Sequence, residues 1–363
     1  MTALRIGVDA RELLGDTTGV GRYLGELMLR WTARSDAGAR TFLLYAPDAL
    51  PLPLPAGTVE VRIVGSGTGT WWEQTALRRA VAADRPHVFF APAYTAPLGL
   101  AMPLAVTIHD ISFVAHPEWF RKREGMRRRF LTRRAAGRAA VVFTDSQFSR
   151  REIEERLSVD PGRIRVIPPG VTARARGDAL SRRTPMVLFV GSLFNRRRIP
   201  DLIAAFARAT TSLPAARLVI VGDDRTWPRQ DLEAIALTNG VQNRTEFRSY
   251  VPDEELARLY ASASVFAFLS EYEGFGLTPL EALVAGVPPV VLDTPVAREV
   301  YGEAAVFVRP GDTDGTAAAL RRFLTAPEAA REIIARAQPV LARYSWDTAA
   351  EQTLDHIERV AQR

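Results

Sequence analysis

The sequence predicts an α/β protein built from two doubly wound, Rossmann-like domains. Its 363 residues exceed the usual size of one compact core. Short apolar runs alternate with helical patterns, which is typical of parallel sheets covered by helices on both faces. The alternation stops at 166–185, a stretch rich in proline, glycine and arginine, and then begins again. We therefore expect two domains of similar size that face each other across a cleft, with ligands bound there.

Short β-branched or apolar runs predict the strands of an N-terminal domain, residues 1–168. Helical patterns at 22–34 and 72–84 predict helices that connect parallel strands. Because the runs are continuously apolar rather than alternating, we expect both faces of this sheet to be buried. The predicted strands lie at 5–10, 41–46, 59–64, 87–92, 104–110 and 140–146.

After a predicted linker at 169–185, the same pattern predicts a C-terminal domain at 186–345. Helical patterns at 199–212, 252–263 and 278–286 lie between its apolar runs. Ligands of such domains bind beyond the carboxyl ends of the strands, so the loops that follow the strands are the expected site. The predicted strands lie at 186–192, 217–223, 245–251, 264–270, 288–293 and 304–309.

Composition excludes several classes of chemistry. The chain has no cysteine, which excludes disulfides, thiolate catalysis and cysteine-ligated metals. Its four histidines lack the spacing of zinc sites, so no metal site is expected. The only lysine, Lys122, lies in an arginine-rich run, which disfavours pyridoxal-phosphate chemistry. The sequence has no leader-like start and no apolar run of ~20 residues, so we expect a cytoplasmic location.

The stretch EYEGFGLTPLEA, residues 271–282, places Glu273 and Glu281 on either side of a Gly-Phe-Gly turn. A helix is predicted to begin at Thr278 with Pro279 in its first turn, because Thr-x-x-Glu is a capping box. Capping explains Glu281 but leaves Glu273 and the glycines unexplained. Free amides at a helix start bind phosphate, and carboxylates accept hydrogen bonds from sugar hydroxyls. The stretch therefore indicates either a simple helix cap or a nucleotide-sugar site.

The predicted loop after the strand at 186–192 carries Arg196, Arg197 and Arg198. Guanidinium groups on a loop between a strand and a helix can bind a diphosphate and offset the charge that develops on it as a leaving group. A solvated basic loop is the alternative in a chain with this many arginines. The two motifs together favour a ligand that has both a diphosphate and a sugar.

These motifs and their order resemble the retaining glycosyltransferases of the GT-B fold, family 4 (glycosyltransferase group 1). That family carries two glutamates separated by seven residues, a spacing that Glu273 and Glu281 match. It also carries an Arg-Lys pair where this sequence has Arg196 and Arg197. The compact ammonium group of the lysine is therefore replaced by the planar guanidinium group of Arg197. Further matches are TGVGRYLGEL, TIHDISFVAHPEWF and RSYVPDEELARLYASASVFAFLS.

The resemblance implies which residues form the site. The implied catalytic residues are His109, Glu273, Arg196 and Arg197, and Asp110 is a further candidate beside His109. The glycine-containing loop after the first strand is expected to approach the donor phosphate. The implied donor-binding residues are Gly19, Gly21, Tyr250, Val251, Gly274, Phe275, Gly276, Leu277, Thr278 and Glu281.

For function, the resemblance implies a metal-independent hexosyltransferase that retains the configuration of the anomeric carbon and needs no cofactor. The pattern is similar to bacterial mannosyl- and rhamnosyltransferases, so GDP-mannose is the first candidate donor, with a saccharide or a lipid-linked saccharide as acceptor. The acceptor is expected to enter from the N-terminal domain, on which the final helix, 346–363, is expected to pack. A nucleotide-sugar epimerase and a non-catalytic nucleotide-sugar-binding scaffold are the alternatives.

Simpler interpretations stand beside several of these assignments. The alternative interpretation of His109 is a structural histidine held by hydrogen bonds, and that of Asp110 is a turn-forming residue. The run 120–138 holds nine basic residues against Glu124, which indicates either a solvated helix or a surface that rests on anionic lipid at the inner membrane face. Nucleic acid is not an expected partner because no reader motif accompanies this charge. NAD is not expected either, because the glycines of GVGRYLG do not directly follow the strand.

Overall fold

The strands of the N-terminal half form one parallel sheet at the predicted apolar runs. They are β1 Leu4–Asp9, β2 Arg40–Ala46, β3 Val59–Ile63, β4 Val88–Ala91, β5 Leu104–Thr107, β6 Val141–Thr144 and β7 Ile164–Val166. In this computed structural model, which describes residues 3–15, 19–51, 57–67, 69–172 and 184–362, these strands pair in the order β3-β2-β1-β4-β5-β6-β7. Each pairing is parallel.

One strand of this sheet was not among the predicted strands. β7 spans three residues and pairs with β6, with Ile164 opposite Val142. It ends at Val166, the first residue of the stretch 166–185 that was interpreted as irregular, so that interpretation was wrong at its start. Three residues are too few to produce a periodic signal. Most of the predicted linker, residues 173–183, lies outside the described residues.

Helices lie between these strands along the chain. The helix predicted at 22–34 begins three residues earlier, and the one predicted at 72–84 contains a π-helical turn at Glu73–Leu77. The helices are α1 Gly19–Ala33, α2 Thr70–Trp72, α3 Arg78–Asp84, α4 Ser112–Ala115, α5 Lys122–Arg138 and α6 Gln147–Leu157.

The C-terminal half repeats the architecture. Its described strands pair in parallel in the order β10-β9-β8-β11-β12-β13. These strands are β8 Met186–Val190, β9 Arg217–Val221, β10 Thr245–Arg248, β11 Val265–Phe268, β12 Pro289–Leu292 and β13 Val306–Val308. The helices are α7 Ile199–Ala209, α8 Leu232–Thr238, α9 Asp253–Ser262, α10 Leu277–Val284, α11 Pro295–Tyr301, α12 Thr313–Thr325, α13 Pro327–Ala335, α14 Ala337–Leu341 and α15 Trp346–Ala361.

The chain divides into two compact units, which we call the N-terminal unit and the C-terminal unit. The N-terminal unit comprises Met1–Pro117, Lys122–Gly170 and Ser345–Arg363. The C-terminal unit comprises Glu118–Arg121 and Val171–Tyr344. Each unit therefore contains one parallel sheet, and the prediction of two doubly wound α/β domains is confirmed.

The last helix, α15, is part of the N-terminal unit. It packs on α1, where the indole N–H of Trp31 donates a hydrogen bond to the Ala350 carbonyl at 2.7 Å. The Trp31 ring stacks on Phe42 of β2, with 5.6 Å between ring centroids. Leu354 and Ile357 of α15 are buried in the same cluster. Burial of these large apolar side chains holds the end of the chain on the first sheet.

The sheets bring the candidate residues to the carboxyl ends of their strands. In the N-terminal unit, His109 follows β5 and Asp145 follows β6. In the C-terminal unit, Arg196 follows β8 and Glu273 follows β11. Parallel sheets of this kind bind ligands at that edge. Within the described parts of the chain, no helix has the length and apolar character needed to cross a membrane.

Candidate functional site

The loop between β11 and α10 is shaped by Gly276. This residue has a φ of +90° and immediately precedes α10. The Tyr301 hydroxyl donates a hydrogen bond to the Gly276 carbonyl at 2.9 Å. A Cβ atom at position 276 would lie 2.2 Å from that hydroxyl oxygen, so both the backbone conformation and the available space require glycine.

The start of α10 differs from the predicted start. The helix begins at Leu277, with Gly276 as N-cap and without a side-chain cap hydrogen bond, so the assignment of Thr278 as N-cap was wrong. Pro279 becomes the third helical residue, which is tolerated because amides of the first turn have no intrahelical acceptor. The uncapped helix start leaves backbone N–H groups for a ligand, and Gly274 and Phe275 precede it on the same loop.

Glu273 lies among three polar groups of the C-terminal unit. The Ser270 hydroxyl donates a hydrogen bond to Glu273 Oε1 at 2.7 Å. The Nε atoms of Arg197 and Arg196 lie 3.2 Å and 3.8 Å from the same oxygen. The carboxylate is therefore held in place and partly neutralised by guanidinium charge. A helix cap does not account for this position, because Glu273 is not part of α10.

Arg196 joins the loop after β8 to the loop after β11. Its Nε donates a hydrogen bond to the Tyr272 carbonyl at 3.1 Å, and its own carbonyl accepts one from Glu271 N at 2.9 Å. Only 7% of the residue is exposed, and the guanidinium lies over the Phe194 ring. The alternative of a solvated basic loop does not describe Arg196.

Arg197 lies against glycine backbone, with 13% of its side chain exposed. Its guanidinium lies 5.0 Å from the centre of the Phe268 ring, and a Cβ atom at Gly191 would meet its Nη1 at 1.8 Å. Burial lowers the pKa of Arg197, an effect that the Glu273 carboxylate opposes. An arginine remains charged under these conditions, so a desolvated cation lies beside Glu273. The neighbouring Arg198 turns to Asp201 and Glu271 instead.

Glu281 occupies a different position from Glu273. It lies inside the second turn of α10 and is 6% exposed. The hydroxyl of the buried Tyr260, from α9, donates a hydrogen bond to Glu281 Oε2 at 3.1 Å. This bond fixes one oxygen of the carboxylate. The sequence pattern identified Glu281 but gave no sign of its partner.

A pocket of the C-terminal unit opens beside Glu273. Its wall includes Ser270, Glu273 and Tyr301, together with residues at the end of β12 and the start of α11. Burial and the Glu273 charge raise the pKa of Tyr301 well above the usual value, so its hydroxyl stays protonated and acts as a donor. The lining residues are Phe268, Ser270, Glu273, Phe275, Val291, Leu292, Thr294, Val296, Ala297 and Tyr301.

The predicted base-binding pair follows β10. Tyr250 is 58% exposed, whereas Val251 is buried. An exposed aromatic side chain at the carboxyl edge of the sheet leaves apolar surface accessible to a ligand. Among the described residues, no group of three or more His, Asp or Glu side chains is arranged to hold a metal ion.

In the N-terminal unit, both ring nitrogens of His109 have protein partners. Nδ1 lies 2.8 Å from Asp145 Oδ2, and Nε2 lies 3.1 Å from the Pro92 carbonyl oxygen. The rings of Tyr23 and Tyr94 contact the imidazole edge to face, with centroids 5.0 Å and 5.7 Å away. Sequence reasoning found His109 but missed Asp145, because the two residues are separated by 36 positions.

Asp110 has the geometry of a turn former. Its Oδ1 accepts a hydrogen bond from Ser112 N at 2.8 Å, at the start of α4. Its Oδ2 lies 3.4 Å from the Tyr94 hydroxyl, which donates to it. The simpler interpretation, a turn former, therefore accounts for Oδ1, whereas Oδ2 pairs with the loop after β4.

Gly19 and Gly21 lie in the first turn of α1 rather than in an irregular loop. That part of the prediction was wrong, although Gly19 still marks the N-terminus of the helix. A Cβ atom at Gly19 would have no neighbour within 4 Å, so space for backbone approach exists there. Residues 16–18, which precede this helix, lie outside the described residues.

A buried charged cluster in the N-terminal unit was not predicted from the sequence. Arg11 forms ion pairs with Asp9, at 2.8 Å, and with Glu73. Glu73 also accepts a hydrogen bond from the Thr95 hydroxyl at 2.6 Å. Burial raises the pKa of Asp9 to about 6, an effect that Arg11 opposes and Glu73 reinforces. The cluster joins the end of β1 to the π-helical turn and to the loop after β4.

Comparison with known proteins covers most of the chain. The family model described as Glycosyltransferase Family 4 matches residues 17–174, and the model described as Glycosyl transferases group 1 matches residues 174–339. The first match covers most of the sequence of the N-terminal sheet. The second includes the arginine loop and both glutamates.

Three known proteins illustrate the similarity. The chain is 26% identical to O-antigen chain mannosyltransferase B of Escherichia coli, over 75% of this chain and 74% of that protein. It is 32% identical to the GDP-mannose:cellobiosyl-diphosphopolyprenol alpha-mannosyltransferase of Komagataeibacter xylinus, over 53% of this chain and 50% of that protein. The crystal structure of Anabaena HepE in complex with UDP-glucose shares the fold, with a TM-score of 0.75 at 18% identity, and the alignment covers 98% of this chain and all (100%) of that one.

Proposed function

We propose that this chain, which belongs to the group 1 glycosyltransferases of the GT-B fold, transfers a hexose from a nucleoside-diphosphate sugar to a saccharide or lipid-linked acceptor. Mannose is the proposed sugar, and the configuration of its anomeric carbon is retained. The proposal includes a cytoplasmic location and a reaction that needs neither a metal ion nor a cofactor. Similarity to mannosyltransferases supports the choice of sugar.

The observation that carries the proposal is the group formed by Arg196, Arg197 and Glu273. Two buried guanidinium groups lie within 3.8 Å of one carboxylate oxygen, beside a helix start that has no side-chain cap. Cations and free amides suit a departing diphosphate, whose negative charge grows as the bond to the sugar breaks. A carboxylate beside them suits the hydroxyl groups of the sugar.

The main candidate residues have distinct roles in this proposal. Arg196, Arg197 and the amides at 276–278 stabilise the nucleoside diphosphate as it leaves, in place of a metal ion. Glu281, oriented by Tyr260, accepts hydrogen bonds from the ribose hydroxyls. Glu273 orients the transferred sugar. The turn at Tyr250 and Val251 is assigned to the nucleotide base, and His109 and the acceptor site are assigned to the N-terminal unit.

The donor is identified by a panel of nucleotide sugars. Purified chain is incubated with GDP-mannose and with GDP-, UDP- and dTDP-linked hexoses, with and without saccharide and polyprenyl-diphosphate-linked acceptors, and release of the nucleoside diphosphate is measured. We expect acceptor-dependent release of GDP from GDP-mannose that persists in EDTA. The product linkage, read by NMR coupling at the anomeric carbon, is expected to keep the donor configuration.

Other outcomes of the panel contradict the proposal in distinct ways. A changed sugar without acceptor indicates an epimerase, and donor binding without turnover indicates a scaffold. Release from a UDP- or dTDP-sugar alone overturns the choice of donor while leaving transfer intact. Absence of binding to every donor overturns the transferase proposal as a whole.

We also propose that α5 rests on an anionic membrane surface, where a lipid-linked acceptor would be located. Mostly exposed basic side chains cover this helix, among them Arg123, Arg127 and Arg134. Met126 and Phe130 are 62% and 52% exposed, which leaves apolar groups among the charges. Basic residues near an anionic surface each contribute about 1 kcal/mol, and exposed apolar groups insert at the interface.

Reversing charge on α5 is expected to weaken binding to vesicles. Replacing Arg123 and Arg127 together by glutamate should lower affinity for phosphatidylglycerol-containing vesicles at least about tenfold, measured by co-sedimentation. Wild-type binding should fall with added salt and be absent on phosphatidylcholine alone. The matched control reverses Arg331 and Arg336, two exposed arginines outside α5. Equal losses of vesicle affinity in both double variants would show that only the net charge matters. That result would contradict the proposal that α5 is the membrane-binding surface.

A further inference from the structure

The surroundings of the His109 ring restrict its protonation state. Two acceptor atoms, a carboxylate oxygen of Asp145 at 2.8 Å and the Pro92 carbonyl oxygen at 3.1 Å, lie opposite its two nitrogens. A neutral imidazole has one N–H and one lone pair, so one nitrogen would face an acceptor with a lone pair. With both nitrogens protonated, each N–H donates one hydrogen bond. The cationic ring is therefore the state that matches both contacts.

We propose that Asp145 is a positioning residue that, together with the Pro92 carbonyl, holds His109 as an imidazolium with both N–H groups donating. The inference rests on the proposed transferase function only for its effect on turnover. It gives His109 a role other than general base, because a ring with two protons and two occupied N–H groups has no lone pair to accept a proton. What it offers a substrate is a fixed positive charge.

The groups around the ring are consistent with a cation. Asp145 comes from the end of β6, and Asp110 lies on the loop that carries His109. The rings of Tyr23 from α1 and Tyr94 from the loop after β4 are in T-shaped contact with the imidazole. Burial lowers the pKa of His109, but the charge and hydrogen bond of Asp145, the Pro92 carbonyl and the Asp110 charge outweigh it, so the pKa is raised overall. A buried cation is tolerated only when paired and hydrogen-bonded in this way.

The ring is also fixed from the backbone side. The Ser149 hydroxyl of α6 donates a hydrogen bond to the His109 carbonyl at 3.2 Å. Asp145 lies just before Ser146, which caps α6 by accepting from Ser149 N at 3.0 Å. The start of α6 therefore holds both members of the His109–Asp145 pair. This arrangement orients the ring without any contribution from a ligand.

The charge state can be measured directly by NMR on the full-length chain. The histidine ring nitrogens are labelled with ¹⁵N, and the signals of His109 are assigned as those missing from the His109→Gln variant. In the wild type, we expect both ring nitrogens of His109 to carry protons at pH 7. Asp145→Asn keeps an acceptor but removes the charge, and should lower the pH of half-titration by about one to three units. If the transferase function holds, the pH at which kcat/KM falls on the alkaline side should move down by the same amount.

Two control variants separate the effect of the His109–Asp145 hydrogen bond from the effect of other charges in the N-terminal unit. Asp110→Asn removes a nearby charge that does not bond to the ring, and should shift the titration less than Asp145→Asn. Asp145→Glu should restore much of the wild-type value. A wild-type ring that is neutral at pH 7, or that has no proton on Nδ1, overturns the inference, and so does an unchanged titration in Asp145→Asn. These readouts need no activity, so failure of the donor panel leaves them interpretable.

Discussion

Replacing Arg197 by alanine is expected to lower kcat of the transfer reaction by about 10²–10³-fold, the usual cost of removing one group that stabilises developing charge. The guanidinium is desolvated between Gly191 and Phe268 and lies 3.2 Å from Glu273. Water cannot replace its charge there at comparable strength, because the local dielectric is low. The measurement is steady-state release of nucleoside diphosphate with the donor and acceptor that the panel identifies.

The adjacent arginine provides the matched control. Arg198 has the same charge one residue away, but its side chain pairs with Asp201 and Glu271. We expect Arg198→Ala to change kcat far less than Arg197→Ala. Arg197→Lys, which restores the residue type that the family pattern carries, should recover part of the lost activity. Equal losses at both positions would indicate a general effect of loop charge and contradict the assignment of Arg197.

Replacing Arg11 by methionine is expected to lower the free energy of unfolding of the N-terminal unit by about 3–5 kcal/mol. Its guanidinium is the cation between Asp9 and Glu73, whose side chains are 3% and 1% exposed. Without Arg11, two carboxylates remain buried with their mutual repulsion unopposed. Methionine keeps much of the apolar packing against Trp72, over which the guanidinium lies at 5.5 Å. Urea unfolding followed by circular dichroism measures the change.

The loss should depend on pH in a defined direction. Burial raises the pKa of Asp9 in the folded protein to about 6 from 3.8, so the folded state binds a proton more readily than the unfolded state. Protonation of Asp9 therefore stabilises the folded state. This stabilisation is fully present below 3.8, the pKa in the unfolded chain, and is lost as the pH rises through about 6, the pKa in the folded protein. The Arg11→Met variant should therefore be closer to wild type near pH 4–5 than at pH 7.

An exposed pair in the same unit is the control for Arg11. Arg34 pairs with Asp36 at 2.9 Å, with side chains 34% and 48% exposed. Water and salt screen an exposed pair of this kind, so Arg34→Met should lower the free energy of unfolding far less than Arg11→Met does. Equal destabilisation by Arg11→Met and Arg34→Met would contradict the prediction, because burial of the ion pairs of Arg11 would then add nothing to their effect on stability.

Much of the fold could be predicted from local sequence patterns, and the errors in that prediction have local causes. The continuous apolar runs marked every described strand except β7, whose three residues are stabilised by pairing with β6 rather than by a signal of their own. The start of α10 was placed at Thr278 because Thr-x-x-Glu is a strong capping signal. The Tyr301 hydroxyl instead holds Gly276 in a left-handed conformation, so the helix begins at Leu277.

By itself, the sequence indicated which loops are the candidates for a ligand site. Strand runs, glycines and the spacing of Glu273 and Glu281 are local properties, and they are legible because secondary structure and turn geometry depend on neighbouring residues. Only the tertiary structure decided which partners the charged groups contact. Asp145 reaches His109 across 36 positions, and Arg11 reaches Glu73 across 62. Charge and protonation depend on burial and on partners distant in sequence, and those partners are fixed only when the sheet brings the ends of its strands together.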